Sequence, residues 1–341
     1  MTRVLLLYNE PLLPPDHPDA ESERSVVGVA QSMATILSDA GFTPKLFSLA
    51  RDPVPLLREL DEDRPDVVVN LFEGNLDNTE TESYVCGLLE WKEVPFTGSP
   101  MRALALCRAK HQANSLLRGG GLPTAPSLVV DSLPAPRCPL TFPVIAKLAC
   151  QDASVGMDHK SVCSNQAELT ERLRFLLKTY GPPVLVEEYI RGREFNVTLV
   201  EMPKLACLPP AEILFPPERP GQWSILTYKG KWAPGDPEYD DTPPHCPADV
   251  SPRLTKRLNE LATRAFRLLG CRDYARVDFR VRGQEPFILE VNPNPDLTPD
   301  AGFSRCLKAA RIRYPQFIVR LVKNALRRRH GPRPTFAMDD L

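Results

Sequence analysis

Apolar and polar residues alternate strictly along two runs in the last quarter of the chain, the sharpest pattern it contains. In the first, Ala275, Val277, Phe279 and Val281 are apolar while Arg276, Asp278 and Arg280 are polar. The turn-like Arg282-Gly283-Gln284 follows, and then Phe287, Leu289 and Val291 are apolar while Glu290 and Asn292 share the other face. A period of two predicts a hairpin with one buried side. Pairing about Gln284 places Asp278 opposite Glu290 and Arg276 opposite Asn292. Two carboxylates directly opposed repel unless positive charge lies between them. Magnesium is the natural candidate, because it takes oxygen ligands, usually one or two carboxylates plus the phosphates of a nucleotide. The hairpin reads as a floor for metal and nucleotide phosphates.

The first hundred residues alternate strand and helix. Val4–Tyr8, Lys45–Leu49 and Val67–Leu71 are apolar runs of strand length; Ser22–Ala40, Pro55–Leu60 and Glu80–Glu90 carry a helical period; Pro95–Ser99 is a loop. Such alternation predicts a parallel sheet covered on both faces, with ligands beyond the carboxyl ends of its strands, here Tyr8-Asn9-Glu10 and Phe72-Glu73-Gly74. A helix over Lys110–Arg118 runs into the breaker Gly119-Gly120-Gly121. Strands at Ser127–Val130 and Pro143–Lys147, a loop at Ala149–Met157, a helix over Gln166–Tyr180 and a strand at Val184–Glu188 form a small α+β lobe. The remainder holds further strands, a polar loop rich in Pro and Gly (Pro216–Asp241), a helix over Pro252–Leu269, the hairpin and a terminal helix.

Composition narrows the function classes. The 341 residues suffice for two or three lobes, and a net charge of −1 supplies no basic field for nucleic acid. The one basic cluster, Arg327-Arg328-Arg329-His330, reads as a solvated helix end. No apolar run reaches the roughly 18 residues of a membrane span. The start, MTRVLLLYNEP, reads as a first strand rather than a signal peptide. Nine scattered cysteines, none spaced C-x-x-C, point to reduced thiols in a cytoplasm rather than to disulfides or zinc. The sequon Asn196-Val197-Thr198 carries no weight without a secretory signal.

Several residues are candidates for nucleotide chemistry. Lys147 ends the apolar strand FPVIAK, where it is either a point charge for phosphate or an ordinary surface lysine, and Lys110 is equally open. The small residues of Ser154-Val155-Gly156 either let backbone N–H groups approach phosphate oxygens or make a plain strand–helix turn. Glu187-Glu188-Tyr189-Ile190 either offers a backbone edge to adenine, with Glu194 beyond it for ribose hydroxyls, or is a strand end with solvated carboxylates. Neither a P-loop nor a dinucleotide fingerprint is present, and no Ser/His/Asp or Cys/His arrangement stands out.

Taken in order, the segments ESERSVV, LLEWKEVPFTGS, RAKHQANSLLRGGGLPTAP, FPVIAK, SVGM, VEEYIRGREF and RVDF with LEVNPNPDLTP resemble the D-alanine–D-alanine ligase family of the ATP-grasp superfamily, over nearly the whole chain. The resemblance implies an ATP-grasp fold of α/β and α+β parts, with an N-terminal parallel, Rossmann-like pre-ATP-grasp domain and nucleotide held between two α+β lobes. The boundaries expected are 1–108, 109–188 and 189–330, with a tail at 331–341. It implies an ADP-forming ligase: a carboxylate is phosphorylated by ATP to an acyl phosphate, and an amine then displaces phosphate to give an amide. Asp278, Glu290 and Asn292 match the ligands of magnesium or manganese, two ions in the family pattern, and Arg276 matches the cation on the tetrahedral intermediate. Lys110 and Lys147 match the ATP lysines, Lys231 a further phosphate contact in a lid at Pro216–Asp241, and Glu187, Glu188, Tyr189 and Ile190 the adenine hinge. Glu194 matches the ribose carboxylate, Ser154 and Gly156 the loop closing over phosphate, and Glu23 the glutamate that holds the donor's amino group. The partners expected are small-molecule amino acids or peptides, with a homodimer as an option and neither nucleic acid nor membrane.

The chain departs from the family at defined points. The loop usually written Gly-Ser-Ser-Val-Gly is Asp152-Ala153-Ser154-Val155-Gly156, the lid tyrosine is Trp232, and His-Gly after the third strand is Glu73-Gly74. Asp296 takes a glycine position, and Ala301-Gly302 fall where a Ser-Leu pair holds the acceptor's carboxylate. These departures predict a carboxylate–amine ligase whose acceptor is not D-alanine. The alternatives are a D-alanine–D-alanine ligase of peptidoglycan synthesis and a non-catalytic nucleotide-binding sensor.

Overall fold

The computed structural model describes residues 1–12, 20–75, 78–135, 137–151, 154–219, 221–233 and 235–328, leaving aside the side chains of residues 20–25. It divides into two compact units, Met1–Met101 with Arg313–Leu341, and Arg102–Ile312.

In the first unit β1 (Arg3–Asn9), α1 (Ala20–Asp39), β2 (Thr43–Leu49), α2 (Val54–Glu62), β3 (Val67–Leu71) and α3 (Thr81–Trp91) follow one another. The three strands form a parallel sheet in the order β2-β1-β3. Val4–Leu7 and Val67–Val69 are buried throughout, as continuous apolar runs must be in a sheet covered on both faces. At the strands' carboxyl ends the Asn9 amide ties two loops together: Oδ1 accepts from Glu73 N and Nδ2 donates to Gly74 O, both at 2.8 Å.

The second unit opens with α4 (Met101–Arg108) and α5 (Lys110–Gly119). Then come β4 (Ser127–Val130), β5 (Val144–Leu148), β6 (Val162–Cys163), α6 (Gln166–Thr179) and β7 (Val184–Glu188). These strands make an antiparallel sheet, β4-β7-β5-β6. Asn165 caps α6 by accepting from Ala167 N and Glu168 N, and Leu169, Leu173 and Leu176 of that helix pack on Val144, Ala146, Val184 and Val186. Next are β8 (Arg193–Glu201), β9 (Leu205–Cys207), β10 (Ala211–Ile213), α7 (Tyr228–Trp232), α8 (Pro237–Asp240), β11 (Pro244–His245) and α9 (Pro252–Leu268). β12 (Tyr274–Arg282), β13 (Glu285–Asn292) and α10 (Gly302–Ala309) complete the unit. A second antiparallel sheet runs β11-β10-β8-β12-β13, with β9 also on β8, and α9 seals one face through Leu254, Leu258, Leu261, Ala265 and Phe266. The expected polar loop at Pro216–Asp241 contains α7 and α8, each started by a side-chain cap, Thr227 on Gly230 N and Asp236 on Glu238 N.

The hairpin forms with Asp278 opposite Glu290 and Arg276 opposite Asn292. Its alternation on β13 differs from the expectation. From the turn, Arg282 pairs with Glu285 and Phe279 with Ile288; then the register slips by one, leaving Leu289 as an extra residue. Ile288 and Val291 are therefore core residues, while Phe287 lies opposite Arg280 and Leu289 is only half-buried. Gly192, at the entry to β8, has φ +145, and a Cβ there would lie 2.0 Å from Val281 O; only glycine lets the chain pass that close to β12.

The last helix, α11 (Tyr314–Arg327), packs against α1 and β3 and so belongs to the first unit. The expected boundary at 189–330 had assigned it to the C-terminal lobe.

Leu258 is fully buried beneath the second sheet, so Leu258→Ala should cost about 2–5 kcal/mol of stability, whereas Lys256→Ala on the outer face of α9 should stay within about 0.5 kcal/mol. Urea melts followed by circular dichroism decide this; equal midpoints for the two variants would remove α9 from the core.

Candidate nucleotide and metal site

Four carboxylates and four cations meet within the second unit, each carboxylate holding its own cation: Lys110 with Glu290, Lys147 with Glu187, Arg276 with Asp278 and Arg280 with Glu194. Lys110 is the first residue of α5, is buried, and places Nζ 3.0 Å from Glu290 Oε2. Lys147, near the end of β5, places Nζ 2.6 Å from Glu187 Oε2 on β7, while Asn114 Nδ2 donates to the other oxygen at 2.7 Å. Three strands and a helix thus bring both lysines, each largely buried, to the carboxylates.

On the sheet face of β12, residues two apart align, so Arg276, Asp278 and Arg280 point the same way. Arg276 forks onto Asp278, Nε to Oδ1 at 2.7 Å and Nη2 to Oδ2 at 2.8 Å. Asn196, directly opposite on β8, donates to Asp278 Oδ1 at 2.7 Å, and Asn292 donates to Oδ2 at 3.1 Å. The opposed pair Asp278 and Glu290 is therefore balanced by Arg276 and Lys110 from the chain itself. Repulsion alone does not demand a metal here.

The donor set nevertheless suits a hard cation. Two carboxylates and an amide oxygen lie on directly paired positions of one hairpin, the oxygen-only chemistry of magnesium completed by phosphates. Among the described residues no cluster of three or more His, Cys, Asp or Glu competes with it. Asp278 already accepts four hydrogen bonds, so a cation there takes the place of one of them.

Electrostatics bind the cluster together. Burial opposes ionisation of Glu290, but Lys110, Lys147 and Arg276 outweigh it and hold the carboxyl well below the usual carboxylate range. Glu194 moves the other way: burial raises it, Asp278 and Glu290 add to the rise, and Arg280 opposes. Arg280 Nη2 lies 3.1 Å from Glu194 Oε2 and also donates to Ser224 O, while Nη1 donates to Gly192 O at 2.8 Å.

The hinge is narrower than expected. Glu188 N donates to Pro126 O and Tyr189 N to Pro143 O, both at 2.9 Å, and the Glu188 carboxylate accepts from Thr141 N at 3.0 Å. Those two amides are committed to the fold and are not open to an adenine edge. Tyr189 is buried, its phenol pushed up to about 12 by that burial, and it stacks edge-on to Trp223 with ring centres 5.3 Å apart.

Ser154 and Gly156 follow β5 in a turn closed by Met157 N to Ser154 O at 3.0 Å, with φ +59 and +70. Arg172 of α6 holds this loop, donating to Gly156 O, to Ser161 Oγ at 2.7 Å and to Asp158 Oδ2 at 3.2 Å. The lid segment is fastened to the same loop, since Tyr228 N donates to Met157 O at 3.0 Å and Trp223 N to His159 Nδ1 at 3.1 Å. Lys231 stands on α7 with Nζ 5.3 Å from the centre of the Trp232 ring. Glu23 lies in α1 and Asp152 precedes Ser154; the side chain of Glu23 and the whole of Asp152 lie outside the described residues.

Sequence reasoning missed Arg280, Asn196, Asn114 and Arg172. Arg280 shared the face of Arg276 and Asp278, which is a readable signal. Arg172 interrupts the apolar stripe Leu169, Leu173, Leu176 of α6, and a charge at a core position asks for a partner. Asn196 and Asn114 carried no local signal.

At the far end of the hairpin, Asp296 is exposed and caps its own turn, accepting from Thr298 N at 2.7 Å and Thr298 Oγ1 at 2.6 Å. Ser304 Oγ donates to Thr298 O at 2.8 Å. Ala301 is the N-cap of α10, without a side-chain cap.

The comparisons agree with this geometry. The family description "D-ala D-ala ligase C-terminus" matches residues 131–323. An uncharacterised protein of Sinorhizobium fredii (strain NBRC 101917 / NGR234), y4sG, is 31% identical over 97% of this chain and 95% of its own. The D-alanine–D-alanine ligase of Pelotomaculum thermopropionicum is 30% identical over 80% of this chain and 83% of its own, and that of the same Sinorhizobium fredii strain is 29% identical over 89% and 94%. The fold is that of a crystal structure of D-alanine–D-alanine ligase from Bacillus anthracis complexed with ATP: TM-score 0.73, 19% identity, 96% of this chain and 99% of that one. By sequence match along most of its length, the chain belongs to the D-alanine–D-alanine ligase family of ATP-dependent carboxylate–amine ligases.

Proposed function

We propose that the protein joins an amino acid or peptide carboxylate to an amine with conversion of ATP to ADP, and that its acceptor is not D-alanine. The observation that carries the first part is the pairing of the Asp278–Glu290–Asn292 face with Lys110 and Lys147 from separate elements. A non-catalytic sensor has no use for that face together with Arg276.

In this reading Lys110 and Lys147 meet the phosphates of ATP and neutralise charge that gathers on oxygen as the phosphoryl group moves to the carboxylate. Asp278, Glu290 and Asn292 would hold magnesium or manganese, which when bound supplies further neutralisation of the phosphates. Arg276 stabilises the oxyanion formed when the amine adds to the acyl phosphate, and that adduct collapses by expelling phosphate. Ile190 and the hinge carbonyls receive adenine; Glu194, held in place by Arg280, receives the ribose. Ser154, Gly156 and Lys231 close over the phosphates, and Glu23 holds the donor's amino group by family pattern. The reading fits a cytoplasmic enzyme; among the described residues no helix is long and apolar enough to cross a membrane.

The second part rests on α10. An anionic acceptor needs donors for its carboxylate. The family's serine is Ala301 here, the Ser304 proton is committed to Thr298 O, and the Thr298 hydroxyl to Asp296. Asp296 is itself exposed and capped, so the change lies in lost donors more than in added charge.

Glu290→Gln should reduce ADP release at least about 100-fold while far-ultraviolet circular dichroism stays that of the parent, because it removes a charged ligand and unpairs Lys110. Turnover within threefold of the parent's would dissociate this hairpin from catalysis.

An ADP-release screen over amino acids and dipeptides, with products identified by mass, tests the acceptor. Synthesis of D-alanyl-D-alanine should be weak, and Ala301→Ser should raise it about tenfold, one lost hydrogen bond to a charge being worth about 1.5–3 kcal/mol. Efficient ligation of two D-alanines by the parent protein would instead make it a peptidoglycan ligase.

A further inference from the structure

Cys246 follows β11, and Cys306 is the fifth of the eight residues of α10. All nine cysteines are free thiols. Of these, Cys246 and Cys306 bring their sulfurs to 3.7 Å across 60 residues of chain, with the Cys246 S–H donating to Cys306 Sγ. Cys246 is partly exposed and Cys306 is buried. None of the roles assigned above uses this combination of one reachable sulfur and one shielded sulfur in contact.

We propose that Cys246 and Cys306 are a reversible thiol–disulfide pair, oxidised by a peroxide or a small disulfide, which ties α10 to the segment after β11. Disulfide bonds in reducing compartments are usually transient and regulatory, which suits a pair held close but unjoined. The chemistry follows the asymmetry of exposure. Cys306 first loses its proton to solvent; the Cys246 sulfur then attacks a peroxide oxygen as its own proton passes to the Cys306 thiolate, and the O–O bond breaks, leaving a sulfenic acid on Cys246 and hydroxide. Cys306 gives that proton to the hydroxide, which leaves as water. The Cys306 thiolate then attacks the Cys246 sulfur, and the S–O bond breaks with loss of a second hydroxide, which takes a proton from solvent. Two thiols lose two electrons and the peroxide gains them. In the reduced pair the Cys246 S–H draws the Cys306 thiol down against its burial, which makes Cys306 the group that ionises, and Thr198, Arg276 and Arg305 add to the effect and persist for the last attack.

The location gives the bond a consequence. Two residues before Cys306, Ser304 holds Thr298 O, so α10 is fastened to the loop that leaves the hairpin. The closed loop spans α9, β12 and β13. Oxidation thus restrains the elements that carry Arg276, Asp278 and Glu290.

The test uses the full-length parent with limiting hydrogen peroxide, then alkylation and peptide mass mapping. The expected product is a crosslinked peptide pair joining Cys246 to Cys306, two hydrogens lighter than the thiols and restored by dithiothreitol. Its formation should raise the thermal midpoint by several degrees, and Cys246→Ala should abolish both crosslink and shift. The proposal is overturned if Cys306 remains fully alkylatable while other thiols oxidise, or if Cys246 accumulates as sulfinic acid without crosslinking. The mapping involves no ligase assay, so it stands or falls apart from the substrate reading.

Discussion

One extra residue in β13, Leu289, decides which side chains face Asp278. Counted from the two-residue turn Gly283-Gln284, an unbroken ladder would set Asp278 opposite Leu289 and put Glu290 on the core side. The bulge shifts the register by one and brings Glu290 and Asn292 onto the face of Arg276 and Asp278. The core accepts the same shift because Ile288 before the bulge and Val291 after it both point inward. A carboxylate on the wrong side would have entered a fully apolar layer formed with α9, at a cost of several kcal/mol. Burial on one side and charge pairing on the other therefore enforce the same register.

That register creates a concentration of charge that the chain must balance at rest. Each carboxylate has a cation within 3.1 Å, and the carboxylates of Asp278 and Glu187 are almost wholly buried. Breaking such a pair strands a buried charge at about 3–5 kcal/mol, so the side chains are held without ligand. Under the proposed function, the arrangement is preorganised for phosphate and metal, which would exchange for contacts already present. Arg276 shows the principle, since its fork on Asp278 fixes the guanidinium on the hairpin face that would receive a reacting carbonyl.

Much of this was legible in the sequence where a period or a motif spoke. The parallel order of β1, β2 and β3 followed from strand–helix alternation, and the pairing of Asp278 with Glu290 from period-two polarity. Period two could not reveal the bulge, because Phe287, Ile288 and Leu289 are all apolar and any register through them looks equally buried. The return of α11 to the first unit was illegible for a related reason: its apolar stripe, Phe317, Ile318, Leu321 and Val322, states that something covers it but not what. Asn196 was dismissed as part of a sequon, since only the long-range pairing of β8 with β12 sets it beside Asp278. Asn114 and the Glu188 and Tyr189 amides are similar cases, fixed by neighbours far away in sequence.

Under the proposed function, the acceptor end would account for a change of substrate with the phosphate chemistry kept. Thr298 gives its hydroxyl proton and its amide to Asp296, and its carbonyl accepts from both Ser304 Oγ and Ala301 N. Every polar group of Thr298 is thus satisfied internally. The first amides of α10 are left for an anion, and a helix start alone contributes at most about 1 kcal/mol at an exposed site. A carboxylate brought there loses its water and regains little, whereas a neutral amine loses nothing comparable. In that reading, discrimination against D-alanine needs no repulsive residue: withdrawal of one hydroxyl at Ala301, with the neighbouring donors turned inward, would leave the anion unpaired without touching the hairpin face proposed to drive ligation.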